Sequence, residues 1–98
     1  MSTALDLSLE HGAGITVIHC RGEIDLDSRY RLARCLRGLA GKVEVDLSGV
    51  TFLDSSGIST LVTAHNALLD AGGKLRLCNP QHNVRTVLDM VGLSDWVD

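Results

Sequence analysis

The 98-residue sequence predicts an α/β fold, a mixed four-stranded β-sheet with its helices packed mainly on one face, in the order β-β-α-β-α-β-α. Three observations predict it. Two β-type runs, 5–10 and 15–20, are joined by His11-Gly12-Ala13-Gly14, whose glycines suit a tight antiparallel connection. Two further strand-like runs, 43–47 and 74–78, are each preceded by a segment with apolar residues at helical spacing, the pattern of strand–helix–strand crossovers, which should be right-handed. A last helical stripe follows Pro80.

The elements follow in order. Gly22-Glu23-Ile24-Asp25 is expected to break the second strand, after which Asp27 or Ser28 can cap a helix with Leu32, Ala33, Leu36 and Leu39 on its inner side. Its other face holds Arg29, Arg31, Arg34 and Arg37, read as a solvated surface rather than an anion-binding patch. The third strand leads into the turn Asp54-Ser55-Ser56-Gly57 and a helix with Ile58, Leu61, Val62, Leu68 and Leu69 on one stripe. His65 shares that stripe and is expected to be hydrogen-bonded and partly buried. Asp70-Ala71-Gly72-Gly73 is a helix stop, and Pro80 suits the first turn of the next helix, whose buried face is Val84, Val87, Leu88 and Val91. Trp96 is expected to anchor the carboxyl-terminal segment to the core.

Composition narrows the function classes. A length of 98 residues with 45% hydrophobic content suits one compact domain, residues 1–98. A net charge of -3 argues against a dedicated nucleic-acid binder. No apolar run approaches the roughly 20 residues that span a bilayer, and residues 1–6 lack the basic start of a secretory leader, so no membrane partner and a cytoplasmic location are expected. Cys20, Cys35 and Cys78 lie far apart with no CxxC pair, and read as small core residues rather than a disulfide framework or zinc site.

The chemistry concentrates at Asp54-Ser55-Ser56-Gly57. At the start of a helix the first N–H groups lack intrahelical partners and the dipole is positive, so the site tolerates a phosphate. One capping side chain suffices there, and two adjacent serines leave one hydroxyl free for a partner. Ser55 has no glycine two residues before it, and His11, His19, His65 and His82 are scattered, so a serine-hydrolase elbow is disfavoured and no catalytic residue is assigned. There is no P-loop or G-x-G-x-x-G motif.

The segment Val45-Asp46-Leu47-Ser48-Gly49-Val50-Thr51-Phe52-Leu53-Asp54-Ser55-Ser56-Gly57 resembles the signature of STAS-domain anti-sigma-factor antagonists. Gly22-Glu23-Ile24-Asp25 resembles an earlier element of the same family, and Asn79-Pro80 leading to the run from Val87 to Leu93 resembles its closing part. The resemblance implies the STAS fold and a non-enzymatic partner switch. Unphosphorylated, the protein would bind an anti-sigma factor with serine-kinase activity and release the sigma factor. Phosphorylation, which the resemblance places on Ser55, would abolish binding, and a PP2C-type phosphatase would reverse it. ATP and its metal belong to those partners, so no cofactor is expected in this chain. The expected docking surface is Asp54, Ser55, Ser56 and Gly57 with Ser59, Thr60 and Thr63 on the exposed side of the helix, and Asp25 adjoins it if the family's loop arrangement holds. The alternative is a non-switching STAS subunit docked on an ATPase, as in lipid-transport machinery. A scaffold or sulfate-transporter STAS module is a further rival, and no long helix follows Trp96 as in some family members.

Overall fold

The computed structural model describes residues 5–98; residues 1–4, part of the opening read as leaderless, lie outside it. Four strands, β1 (Asp6–Gly12), β2 (Ile15–Ile24), β3 (Lys42–Leu53) and β4 (Lys74–Cys78), form one sheet in the order β1-β2-β3-β4. β1 pairs antiparallel with β2, while β2–β3 and β3–β4 are parallel, which is the mixed sheet the sequence predicts. The helices are α1 (Arg29–Arg37), α2 (Ser55–Asp70) and α3 (His82–Met90).

The β1–β2 connection is a two-residue turn with both central residues at positive φ, Ala13 at 51° and Gly14 at 77°, as a type I′ turn requires. Alternation along the strands then sorts the faces. Ile18, Val43, Val45, Leu47, Leu75 and Leu77 are buried toward the helices, and join Leu32 and Leu36 of α1, Leu61 and Leu68 of α2, and Val84 and Leu88 of α3 in one core. Between them in the strands, His19, Glu44, Asp46, Arg76 and Cys78 occupy the opposite face and are only partly buried.

Several local expectations give way to tertiary pairing. Gly22-Glu23-Ile24 does not end β2. A register shift between Gly22 and Glu23, with Gly22 at φ 116°, absorbs the irregularity and the strand runs on beside β3. β3 likewise extends past Leu47 to Leu53. Leu69 is 56% exposed, because α2 rotates its stripe toward Leu61 and Leu68. Pro80 precedes the α3 N-cap, Gln81, instead of entering the first turn. Of the cysteines, Cys20 alone is buried in the core, whereas Cys78 lies half-buried on the opposite face. Val91, expected on the buried face of α3, is exposed at its C-cap, while Val87 is half-buried.

The stop after α2 is a Schellman-type end, with Gly73 N–H donating to Leu68 O at 2.7 Å and Gly72 at φ 83°. After α3 the short 3₁₀ helix Ser94–Trp96 turns the chain back to the sheet. Trp96 packs against the core, and Asp98 N–H donates to Leu77 O at 2.9 Å, so the last residues run along the outer edge of β4. His65 stacks on Trp96 with ring centroids 3.9 Å apart; its buried Nδ1 has no hydrogen-bond partner among the described residues, so stacking replaces the expected hydrogen bond.

Candidate functional site: the strand-to-helix turn at Ser55

β3 delivers the chain to Asp54, whose extended backbone (φ -106°, ψ -173°) is that of an N-cap. Asp54 Oδ1 accepts hydrogen bonds from the N–H groups of Ser56 at 2.9 Å and Gly57 at 3.1 Å. Ile58 N–H donates to Asp54 O at 3.0 Å, the first turn of α2. The cap is therefore the aspartate, and neither serine hydroxyl is required for it. Ser55, the first helical residue, is exposed, and its hydroxyl makes no hydrogen bond among the described residues.

The turn is pinned to the end of β2. Asp54 N–H donates to Ile24 O at 3.2 Å, so the loop that begins with Asp25 adjoins the amino end of α2. Gly57 is the close-approach residue here: a Cβ at this position would stand 2.5 Å from Leu53 Cδ1, 2.7 Å from Ile24 Cγ2 and 3.0 Å from Ile24 O. A side chain would push the helix off the strand ends.

Asp25 is held in a compact turn of its own. Its Oδ1 accepts from Ser28 N–H at 2.9 Å and Asp27 N–H at 3.0 Å. The Ser28 hydroxyl donates to Glu23 O at 2.7 Å and accepts from Asp25 N–H at 3.0 Å. Ser28 thus occupies the N-cap position of α1 without bonding into the helix by its side chain, because its hydroxyl is engaged backward. The Ser28 N–H is the largest influence on the Asp25 carboxyl; with the Ser28 hydroxyl and Asp27 N–H it outweighs burial and holds the group below its ordinary carboxylate value.

The structure gathers Asp25, Asp54, Ser55, Ser56 and Gly57 at the carboxyl-terminal edge of the parallel strands. Ser59 and Thr63 are exposed on α2 as expected. Thr60 is not: it is 8% exposed, and its hydroxyl donates to Ser56 O at 3.0 Å. The 100° turn per residue places it on the side facing α1, where burial satisfies the hydroxyl within its own helix. Sequence reasoning missed the contact between Ile24 and Gly57; the glycine following two serines was its one visible sign. It also missed Leu26, Tyr30 and Phe52, which stand 59%, 61% and 46% exposed near this edge.

Among the described residues Glu44, Cys78 and Asp98 form one group of metal-ligand type within 4.8 Å. It lies across the sheet from α2, and Arg76 already pairs with Asp98 at 2.7 Å. Burial first, then the Glu44 and Asp98 charges, push the Cys78 thiol up to about 11, which opposes the thiolate a metal would need.

A family model described as the STAS domain matches residues 6–98. The Anti-sigma F factor antagonist of Paenibacillus polymyxa is 26% identical over 94 residues, covering 91% of this chain and 80% of that protein. The Anti-sigma-B factor antagonist of Bacillus subtilis is 30% identical over 84 residues, covering 83% of this chain and 77% of that protein. In fold, the chain is similar to the anti-sigma factor antagonist SpoIIAA in its unphosphorylated form, with a TM-score of 0.76 at 24% identity over 95% of this chain and 86% of that one. The phosphorylated form of Bacillus SpoIIAA gives 0.75 at 23% identity, over 95% and 89%. A match to the family model over residues 6–98, together with a relative 30% identical over 83% of this chain, makes this chain a member of the STAS domain family.

Proposed function

We propose that this chain is a single-domain, cytoplasmic anti-sigma-factor antagonist whose docking surface is switched off by phosphorylation of Ser55. The observation that carries this reading is the division of labour at the turn. Asp54 satisfies the helix amino terminus, and the Ser55 hydroxyl stands exposed and unbonded beside it. A serine needed only as a cap would be engaged with the backbone.

The partner is an anti-sigma factor with serine-kinase activity, and a PP2C-type phosphatase restores the unmodified form. ATP and metal belong to those proteins, and this chain acts by binding rather than by catalysis. The relatives' role as anti-sigma factor antagonists supports the assignment. The docking surface comprises Asp25, Asp54, Ser55, Ser56, Ser59 and Thr63, while Gly57 and Thr60, both buried, contribute from beneath by seating and holding the first turn of α2.

A phosphate brings about -1.5 to -2 charge at pH 7. The helix amino terminus tolerates that charge locally, but Asp54 already occupies the N–H groups of Ser56 and Gly57. The phosphate projects toward the partner beside two carboxylates, Asp54 and Asp25. Repulsion and unmatched desolvation totalling about 3 to 4 kcal/mol would weaken docking several-hundredfold, at roughly tenfold per 1.4 kcal/mol.

The test is affinity capture from host lysate with Ser55→Ala and Ser55→Asp baits, followed by incubation of the captured ATPase with wild-type protein and ATP. A kinase-type ATPase retained by the alanine bait, lost from the aspartate bait and able to phosphorylate Ser55 is the expected result. Equal retention of a transporter ATPase by both baits would overturn the switch and favour a non-switching STAS subunit.

A further inference from the structure

α1 and α2 both run back along parallel strands, so they lie side by side in the same direction and leave a half-open groove of about 510 Å³ between them. That volume falls within the roughly 300 to 1,000 Å³ of small-molecule sites. Its floor is apolar, made by Ala33, Leu36, Ala64 and Leu68. The charged residues that line it are Arg29 and Arg37, and no carboxylate does, although the chain as a whole carries a net charge of -3.

Neither arginine has an acidic partner within ion-pair distance among the described residues, where Arg76 and Arg85 both do. Arg29 is held in place from one side: its Nη2 donates to the Tyr30 hydroxyl at 2.8 Å, and its guanidinium carbon lies 4.5 Å from the Tyr30 ring centroid. Its Nε is buried and has no hydrogen-bond partner among the described residues, so that donor is unsatisfied. Across the groove, on α2, Thr60 commits its hydroxyl to Ser56 O, whereas those of Ser59 and Thr63 make no bond among the described residues.

We infer that this groove binds a fatty-acid-type anion, with the carboxylate at Arg29 and the Ser59 and Thr63 hydroxyls and the alkyl chain over Ala33, Leu36, Ala64 and Leu68. An apolar floor selects the chain, and a carboxylate supplies acceptors for the guanidinium in the charge-assisted geometry arginine favours. Arg37, two turns along α1, lays its methylene stem beside the chain and keeps its head in water. A small ligand fits better than a protein. Thirteen residues line the groove, against roughly 20 to 30 on each side of a standard protein interface. The groove shares Ser59 and Thr63 with the proposed docking surface, but Ser55 does not line it, and ligand binding by the isolated chain is read without any partner or phosphorylation.

The experiment is a fluorescence titration of the full chain with cis-parinaric acid below its micelle concentration, with decanoate and decanol as competitors. Saturable one-to-one binding is expected, displaced at least tenfold better by decanoate than by decanol. Arg29→Met should weaken decanoate about tenfold and leave decanol unchanged. Ala67→Phe, which fills the groove from an exposed position of α2, should abolish binding of both, with circular dichroism verifying the fold. Unsaturable binding, equal competition by acid and alcohol, or unchanged affinity in both variants would overturn the inference. Displacement by an acidic amphipathic peptide at lower concentration than decanoate would overturn the small-ligand form and assign the groove to a protein.

Discussion

Asp54 bonds through one oxygen to two N–H groups, and that single fact separates stability from the proposed switching at a tetrapeptide where the two are easily confused. Asp54→Ala should cost about 0.5 to 2 kcal/mol of folding stability, the loss of an N-cap, read as a lower denaturation midpoint. Ser55→Ala should leave that midpoint within about 0.5 kcal/mol of wild type, because an exposed, unbonded hydroxyl contributes little. Gly57 separates the same two properties. Gly57→Ala must displace Leu53, Ile24 or the helix itself, at about 1 to 3 kcal/mol, and equilibrium unfolding by urea will measure it. An alanine at 57 that proved neutral would show that the strand ends yield freely, and that the switch loop is less firmly seated than the geometry implies.

At the scale of elements, α2 joins the fold to the proposed docking surface, and its two threonines belong to opposite sides of that division. Thr63→Trp should abolish capture of the anti-sigma factor while leaving the unfolding midpoint nearly unchanged, since Thr63 is exposed. Thr60→Trp should instead lower the midpoint, because the position is 8% exposed and faces α1. Isothermal titration and thermal melts on the same two proteins separate these effects. If Thr63→Trp binds as wild type does, the carboxyl-terminal half of the docking surface is wrong. The strands teach a related lesson. β2 and β3 run on to Ile24 and Leu53 despite local breaker residues, because each supplies the other's backbone partners, and this extension carries Asp25 to the side of Asp54.

For the whole molecule, the open face of the sheet carries a titratable tie across three strands. His19 on β2 contacts Glu10 Oε1 on β1 at 2.8 Å and Asp46 Oδ2 on β3 at 2.7 Å. Only a doubly protonated ring donates to both carboxylates. The bond to Glu10 first, and that to Asp46 second, raise its pKa above the ordinary 6.5. A raised folded-state value means that the stabilisation is complete below about 6.5 and is lost as pH rises through the folded value. The unfolding midpoint of wild type should therefore be higher at pH 6 than at pH 8.5, and His19→Gln should narrow that difference; an unaltered difference in the variant would place the titration elsewhere. Asp46 responds in the opposite range. Burial alone would raise its carboxyl, but the Ser48 N–H and the His19 ring hold it below its ordinary value, so its contribution is present at neutral pH and fades as pH falls through that lowered value. Because this face lies across the sheet from α2, neither titration should alter the proposed switch at Ser55.

The sequence by itself determined the element order, the mixed sheet and the turn that presents Ser55. Those features rest on local physics: period-2 and period-3.6 burial, glycines where φ is positive, and a capping aspartate before a helix. Three short motifs at fixed spacing were enough to mark the family. What the sequence did not carry was anything dependent on which surfaces meet. That Leu69 is exposed and Thr60 buried follows from how α2 packs against α1 and β4, which no helical pattern encodes. That Asp25 stands beside the amino end of α2 follows from the length of β2 and β3, which their mutual pairing extends. The groove with its two arginines exists only because two helices, separate in sequence, lie side by side; read from α1 alone, Arg29 and Arg37 belong to a solvated face. Local propensity specifies elements, and the free energy of burying their faces together decides where each side chain ends up.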